Sequence, residues 1–260
     1  MPVDFGRTAR DYATYRTAFP PELFTRLAAC GIGVPGQRIV DLGTGTGVLA
    51  RGFAAVGCTV TGVDIAPELL TEARRQDAEA GLAVTYRVAP AEDTGLPAAA
   101  WDVVSAGQCW HWFDRERVAE EALRLLTGNG ALVVCGRDYH LLPGNVCTAS
   151  EELVLRYNPG WPVAGGAIDH TGWAAELRQA GFADVEAIGF DIDVPFTHEA
   201  WRGRMRSSNG VGASLSEAEI TAFDTDLARL LRERFPAEPL VVPHRIWALV
   251  ARRDMYAFSM

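Results

Sequence analysis

The sequence contains no lysine: all 24 basic residues in its 260 are arginine. That absence excludes Schiff-base catalysis, a pyridoxal-phosphate lysine and the lysine of a nucleotide-binding P-loop. A GC-rich coding sequence, which favours Arg, Ala and Gly codons, is the simplest cause. Cysteine is scarce and scattered. Cys30, Cys58, Cys109, Cys135 and Cys147 form an odd set with no C-x-x-C pair, which argues against a disulfide framework and against structural zinc. No His/Cys/Asp cluster has the spacing of a metal site, so no metal is expected. No run approaches 18 apolar residues, so no membrane span is expected. The start, MPVDFGRTARDY, lacks the basic and apolar regions of a signal peptide, and a cytoplasmic setting is the expectation. A basic surplus is missing too. The 33 acidic residues against 24 basic ones give a net charge of −9, whereas a cleft that tracks phosphate backbone wants the opposite. Nucleic acid is therefore not an expected partner.

What is present is an ordinary globular balance, 48% hydrophobic and 22% charged, with length enough to bury a core without staples. The first 150 residues alternate short β-rich runs with helical patterns. Strands are expected at Arg38–Gly43, Cys58–Ile65, Val84–Ala89, Trp101–Ala106 and Ala131–Cys135. Pro67 stands where a first helical position would be, Gly81 where that helix would stop, and TGNG after Leu126 where a later helix would close. Such alternation predicts βαβ units and an α/β fold, a doubly wound Rossmann-like sheet with helices on both faces. Further on, the pattern predicts short helices at Ser150–Arg156 and Trp173–Ala180 and strands at Val185–Val194 and Arg245–Ala251. The irregular segments 140–170 and 196–240 lie between strands and are the expected material of a small cap on a single domain spanning 1–260.

The strongest local signal is Asp41-Leu42-Gly43-Thr44-Gly45-Thr46-Gly47 at the end of the first strand. Alternate glycines let the backbone turn sharply and come close to a ligand, and the helix start behind them offers free N–H groups. Asp64 follows at the tip of the second strand, where a carboxylate can accept from ribose hydroxyls. The spacing is G-x-G-x-G rather than the G-x-G-x-x-G of dinucleotide sites. An acid at Asp41 repels a pyrophosphate and suits a cationic ligand.

The run D-L-G-T-G-T-G, followed by V-D-I-A-P, resembles the class I S-adenosylmethionine-dependent methyltransferase family. Ala106-Gly107-Gln108-Cys109-Trp110-His111-Trp112-Phe113, after the fourth strand, is similar to the A-x-x-x-H-W-F motif of the trans-aconitate methyltransferase-like small-molecule subgroup. So is the N-terminal stretch from Phe5 to Pro20, apart from Phe19 where that subgroup favours Tyr, and so is the run Ser208 to Ser214. The resemblance implies a seven-stranded sheet with its last strand antiparallel. It also implies S-adenosylmethionine as cofactor and S-adenosylhomocysteine as product.

By that resemblance Gly43, Thr44, Gly45 and Gly47 cup the amino-acid end of the cofactor, and Asp41 neutralises its ammonium directly or through water. Arg16 binds its carboxylate with Tyr15 closing over it. Asp64 holds the ribose, Ile65 packs on the adenine, and Ala91 and Glu92 lie near the adenine edge. The reacting methyl falls above Gly107 and Gln108. Trp110 and Trp112 supply aromatic walls, one or the other giving cation–π contact to the sulfonium, and His111 is either the general base or a structural group at the turn. Arg202 and Arg206, four residues apart and so on one helix face, with Asn209, are the candidate ligands of an anionic acceptor. The expected activity is methyl transfer to O or N of a small molecule, a carboxylate-bearing acceptor among the options, in metabolic or natural-product biosynthesis. The same pocket could serve a non-methylating reaction such as cofactor cyclisation, or an RNA or protein methyltransferase. Monomer and homodimer both stay open.

Overall fold

Five short segments set the geometry of the sheet. β1 (Arg38–Leu42) and β2 (Thr59–Asp64) are buried at nearly every position, as continuous apolar runs are when a parallel strand has both faces covered. β3 (Val84–Val88) and β4 (Trp101–Gly107) follow, and β5 runs from Leu126 to Tyr139. The computed structural model describes residues 18–161, 164, 170 and 172–253. It joins these strands with β6 (Phe182–Phe196) and β7 (Leu240–Arg253) in one seven-stranded sheet of order β3-β2-β1-β4-β5-β7-β6. The pairings β1/β2, β2/β3, β1/β4 and β4/β5 are parallel. The order reverses between β1 and β4, so their carboxyl ends open a crevice at the switch point, the place where open α/β sheets bind ligands.

The connecting helices start and stop where their chemistry dictates. α1 (Pro21–Ala29) precedes β1, and α2 (Val48–Ala55) begins on Gly47, whose φ of 75° only glycine adopts cheaply. α3 (Pro67–Ala80) opens with proline, which fits a first turn, and closes on Gly81 in the left-handed region. α4 (Arg115–Leu125) is capped by Asp114, whose side chain accepts from the Arg117 amide.

One expectation needs correction here. TGNG does not close a helix. α4 ends at Leu125, and residues 127–130 form an irregularity inside β5, where Trp101 pairs with Leu126 but Val103 pairs with Ala131. A Cβ at Gly130 would sit 2.8 Å from the Leu126 side chain and 3.2 Å from the Asp102 carbonyl, so glycine permits this bulge.

The chain divides into two compact units. One comprises the described residues of 18–137, 169–190 and 246–260 and carries β1 to β4. The other comprises those of 138–168 and 191–245. It holds α5 (Val146–Tyr157), α7 (His198–Arg206) and α8 (Glu217–Arg234) around a core that includes Trp201, Met205, Phe223 and Leu227. α8 begins with a capping box in which Ser216 and Glu219 satisfy each other's amides. α6 (Trp173–Gln179) belongs to the first unit.

Candidate active site

The glycine loop is tied down from three sides. The Thr44 amide donates to the Val63 carbonyl of β2 at 3.0 Å, and the Gly45 amide donates to Asp64 Oδ2 at 2.8 Å. The third tie is Asp41. Its Oδ2 accepts from the Thr44 hydroxyl at 2.6 Å and its Oδ1 from the Ser105 hydroxyl of β4 at 2.7 Å. Asp41 is only 1% exposed. Burial pushes its carboxyl up to about 6, against the two hydroxyl bonds that pull it down, and the Asp64 charge adds to the rise. Asp41 therefore accepts from one hydroxyl of the loop and one of β4.

The three loop glycines have positive φ, of 60°, 55° and 75°, but their surroundings differ. A Cβ on Gly43 would come within 2.8 Å of the Phe113 ring and 2.9 Å of the Cys109 sulfur. One on Gly47 would meet the Tyr86 hydroxyl. One on Gly45 would meet nothing within 4 Å. The first and third glycines thus serve packing, and Gly45 presents backbone to open space, as a cradle for an approaching ligand does.

Asp64 keeps capacity for more. Its Oδ1 accepts from the Ala66 amide at 2.9 Å and its Oδ2 from Gly45, which leaves about two of roughly four lone-pair positions for ribose hydroxyls. Ile65 is 72% exposed beside it, with Val88 of β3 and Trp112 also large, apolar and exposed. Ala91 is buried, and Glu92 Oε1 accepts from the Asp114 amide at 3.1 Å, which ties the β3 loop to the α4 cap. At the tip of β4, Gln108 holds a φ of 61°, a left-handed conformation uncommon outside glycine. Its amide donates to the Cys135 carbonyl at 2.9 Å and its side chain to the Arg137 carbonyl at 2.8 Å. Strain held in place by specific bonds at a strand tip is the mark of a shaped site. Gly107 lies against Leu49 and Phe19.

Trp110, His111 and Trp112 form a single turn of 3₁₀ helix after Gln108 and Cys109. Trp110 is 2% exposed and packs edge-on to Phe113, with ring centres 6.1 Å apart. It lines a pocket of about 500 Å³ with Phe113, Arg115 and Glu176. Trp110 is buried in the base of the turn, and Trp112, 46% exposed, is the more accessible of the two indoles. His111 is half-buried with its ring 4.7 Å from that of Trp112.

The candidate acceptor residues lie in the second unit. Arg202 and Arg206 do share a face of α7, and the carboxylate they grip is the chain's own Asp224 on α8. Arg202 Nε bonds Asp224 Oδ1 at 3.0 Å, and Arg206 donates to the same oxygen at 2.6 Å. Glu199 binds both guanidinium groups at 3.0 Å. The anion-binding expectation is corrected accordingly, because internal carboxylates already fill those forks. The Asn209 side-chain oxygen accepts from the Trp161 indole at 3.0 Å. Tyr15 and Arg16 lie outside the described residues. Sequence reasoning missed Ser105 and Asp114, whose roles depend on strand register and loop contacts.

Among the described residues no group of three or more His, Cys, Asp or Glu side chains could hold a metal ion, and no helix is long and apolar enough to cross a membrane.

Residues 40–134, the stretch that holds the loop, Asp64 and the β4 turn, match a protein family described as a methyltransferase domain. The chain is 30% identical over 174 residues to a ubiquinone biosynthesis O-methyltransferase of Xylella fastidiosa, spanning 66% of this chain and 68% of the relative. Among solved structures, a candidate type II methyltransferase of Anaeromyxobacter dehalogenans superposes with a TM-score of 0.65 at 24% identity, covering 93% of this chain and 98% of that one. Phosphoethanolamine N-methyltransferase 2 of Haemonchus contortus, solved with phosphomonomethylethanolamine and S-adenosylhomocysteine, gives 0.57 at 19% identity over 97% of this chain and 60% of its own. Both structural likenesses speak to the fold.

Proposed function

Because this chain belongs to the class I S-adenosylmethionine-dependent methyltransferases, we propose that it methylates an oxygen or nitrogen of a small molecule, with oxygen the better supported. The observation that carries the cofactor site is the open face at Gly45 beside Asp64 and the exposed Ile65. The fit is specific. Backbone at Gly45 has room for close approach, Asp64 has acceptor capacity for two hydroxyls, and Ile65 offers an apolar surface for a base. In this reading Gly43, Thr44, Gly45 and Gly47 cup the amino-acid end, Ala91 and Glu92 border the adenine, and Gly107 and Gln108 floor the reacting centre. When bound, S-adenosylmethionine supplies an activated methyl group on a cationic sulfur.

The chain's own part is alignment and dryness. Charge is dispersed rather than created in such a transfer, so positioning carries much of the acceleration, up to about 7–11 kcal/mol in well-oriented systems. Gln108, fixed by two bonds, sets the β4 tip, and Trp112 shields the approach and lies over a cationic centre. His111 takes the proton from a hydroxyl acceptor. The oxygen preference rests on the O-methyltransferase name of the Xylella relative.

Calorimetric titration with S-adenosylmethionine and S-adenosylhomocysteine, run beside NADH, tests the cofactor assignment. Micromolar binding of the first two, weakened at least tenfold in Asp64→Ala, is expected, since each lost charge-assisted bond is worth about 1.5–3 kcal/mol. A screen of phenols, carboxylic acids and amines for the mass of one added methyl then finds the acceptor. Binding of NADH alone would overturn the reading.

A further inference from the structure

Asp41 and Ser105 lie side by side in the register of β1 and β4. Ser105 is completely buried and Asp41 nearly so. A fully buried serine is costly unless its hydroxyl is satisfied, and here it donates to Asp41 Oδ1 at 2.7 Å. The other oxygen is held by the Thr44 hydroxyl at 2.6 Å, and the Thr44 amide is fixed to β2. One carboxylate thus links the first and fourth strands to Thr44 of the glycine loop, and the Thr44 amide ties that residue to β2.

We propose that Asp41, Ser105 and Thr44 form a latch that holds the glycine loop in its cofactor-binding shape, with Ser105 a positioning residue that acts through Asp41. The proposal rests on the cofactor reading above and adds to it a residue and a condition. The latch needs an ionised carboxylate. Two hydroxyls donate to its two oxygens, and a proton on either oxygen weakens it as an acceptor and adds a competing donor beside a hydroxyl that already donates. The titratable groups that face Asp41 are Asp64 on β2, Tyr86 on β3, Cys109 after β4 and Cys135 on β5. None of them is a cation, so hydrogen bonds, from the two hydroxyls and from the Ala50 backbone, are what keeps the charge. Burial places the change of state at about 6, with the latch set above that pH and released below it.

The test follows S-adenosylhomocysteine affinity by calorimetry from about pH 5 to about pH 8, a range that brackets the titration. In the wild-type chain, affinity should fall as the pH drops through about 6. Ser105→Ala removes a donor to the ionised form, so its midpoint should rise by about one to two pH units, the worth of one charge-assisted bond. Thr44→Val should shift it in the same direction, and Ser105→Thr, which keeps the hydroxyl, should restore the wild-type profile. A purely structural serine would lower the melting temperature without moving the midpoint. An unmoved midpoint in both Ser105→Ala and Thr44→Val, or a wild-type affinity flat across the range, overturns the latch. Failure of the folded wild-type chain to bind at any pH overturns the cofactor reading instead, and the latch with it.

Discussion

Gly43 and Gly45 share a left-handed backbone, yet a methyl group added to each meets different surroundings. At Gly43 it would strike Phe113 and Cys109, and at Gly45 it would enter open space. Gly43→Ala should therefore combine backbone strain of about 1–2 kcal/mol with overpacking of about 1–3 kcal/mol. Gly45→Ala should carry the strain alone. In urea melts the first variant should lose clearly more stability than the second. In titrations Gly45→Ala should lose cofactor affinity even where it stays folded, because its Cβ stands on the ligand side. Equal destabilisation, or a Gly45→Ala protein with native affinity, would put the cradle elsewhere. At this scale the sequence shows which residues matter more readily than which way they face. Asp41 stands out as the acid before the glycines, but its burial and its bond to Ser105 depend on which strand lies next to β1. No local pattern carries that information.

At the scale of elements the same limit appears at α7. A helical period puts Arg202 and Arg206 on one face, and the structure does so, but α8 brings Asp224 to meet them. Partner choice is a tertiary fact. Burial pushes the Asp224 carboxyl up, and the forks from Arg202 and Arg206 outweigh it and hold the carboxyl below its ordinary value. A depressed carboxyl contributes stability that is fully present above the ordinary aspartate range near 4 and is lost as the pH falls through its lower folded value. Asp224→Ala should remove that contribution. Side-chain exposures of 18–25% across the three residues put the loss between the limits for exposed and buried pairs, about 1–3 kcal/mol. The loss should vanish when the comparison is made in strong acid. A denaturation midpoint at neutral pH that does not change on substitution would show that the cluster contributes nothing.

The strand-and-helix alternation from β1 to β4 was readable because each segment has its own signal. Apolar runs mark buried parallel strands, Pro67 starts a helix and Gly81 ends one. β5 extends toward Leu126, ahead of its apolar stretch, because pairing with β4 carries strand geometry across a bulge, which apolar patterning does not report.

For the molecule as a whole, the division into two units makes the extent of ligand coupling an experimental question. A ligand that binds only the native state stabilises it by RT ln(1 + [L]/Kd), about 2.7 kcal/mol at a hundredfold excess over Kd. Hydrogen exchange shows where that stabilisation falls. The glycine loop, the β2 tip and the end of β4 all meet at the reversal in strand order, and all would contact the cofactor in the proposed reading. Saturating S-adenosylhomocysteine should therefore slow exchange most at residues 43–47, at 64–66 and at 105–109. Each of these stretches includes amides already bonded to Asp64, to the β2 backbone or to Cys135. Rigidifying the crevice should strengthen those bonds before it reaches any others. The second unit has its own core around Trp201 and Phe223, and protection there on binding product alone would show that its opening is coupled to the cofactor. Protection confined to the sheet unit would assign the second unit's response to the acceptor. Exchange unchanged at all three stretches in the presence of bound ligand would mean that it sits somewhere other than the switch point. That result would remove the structural basis for the site proposed here.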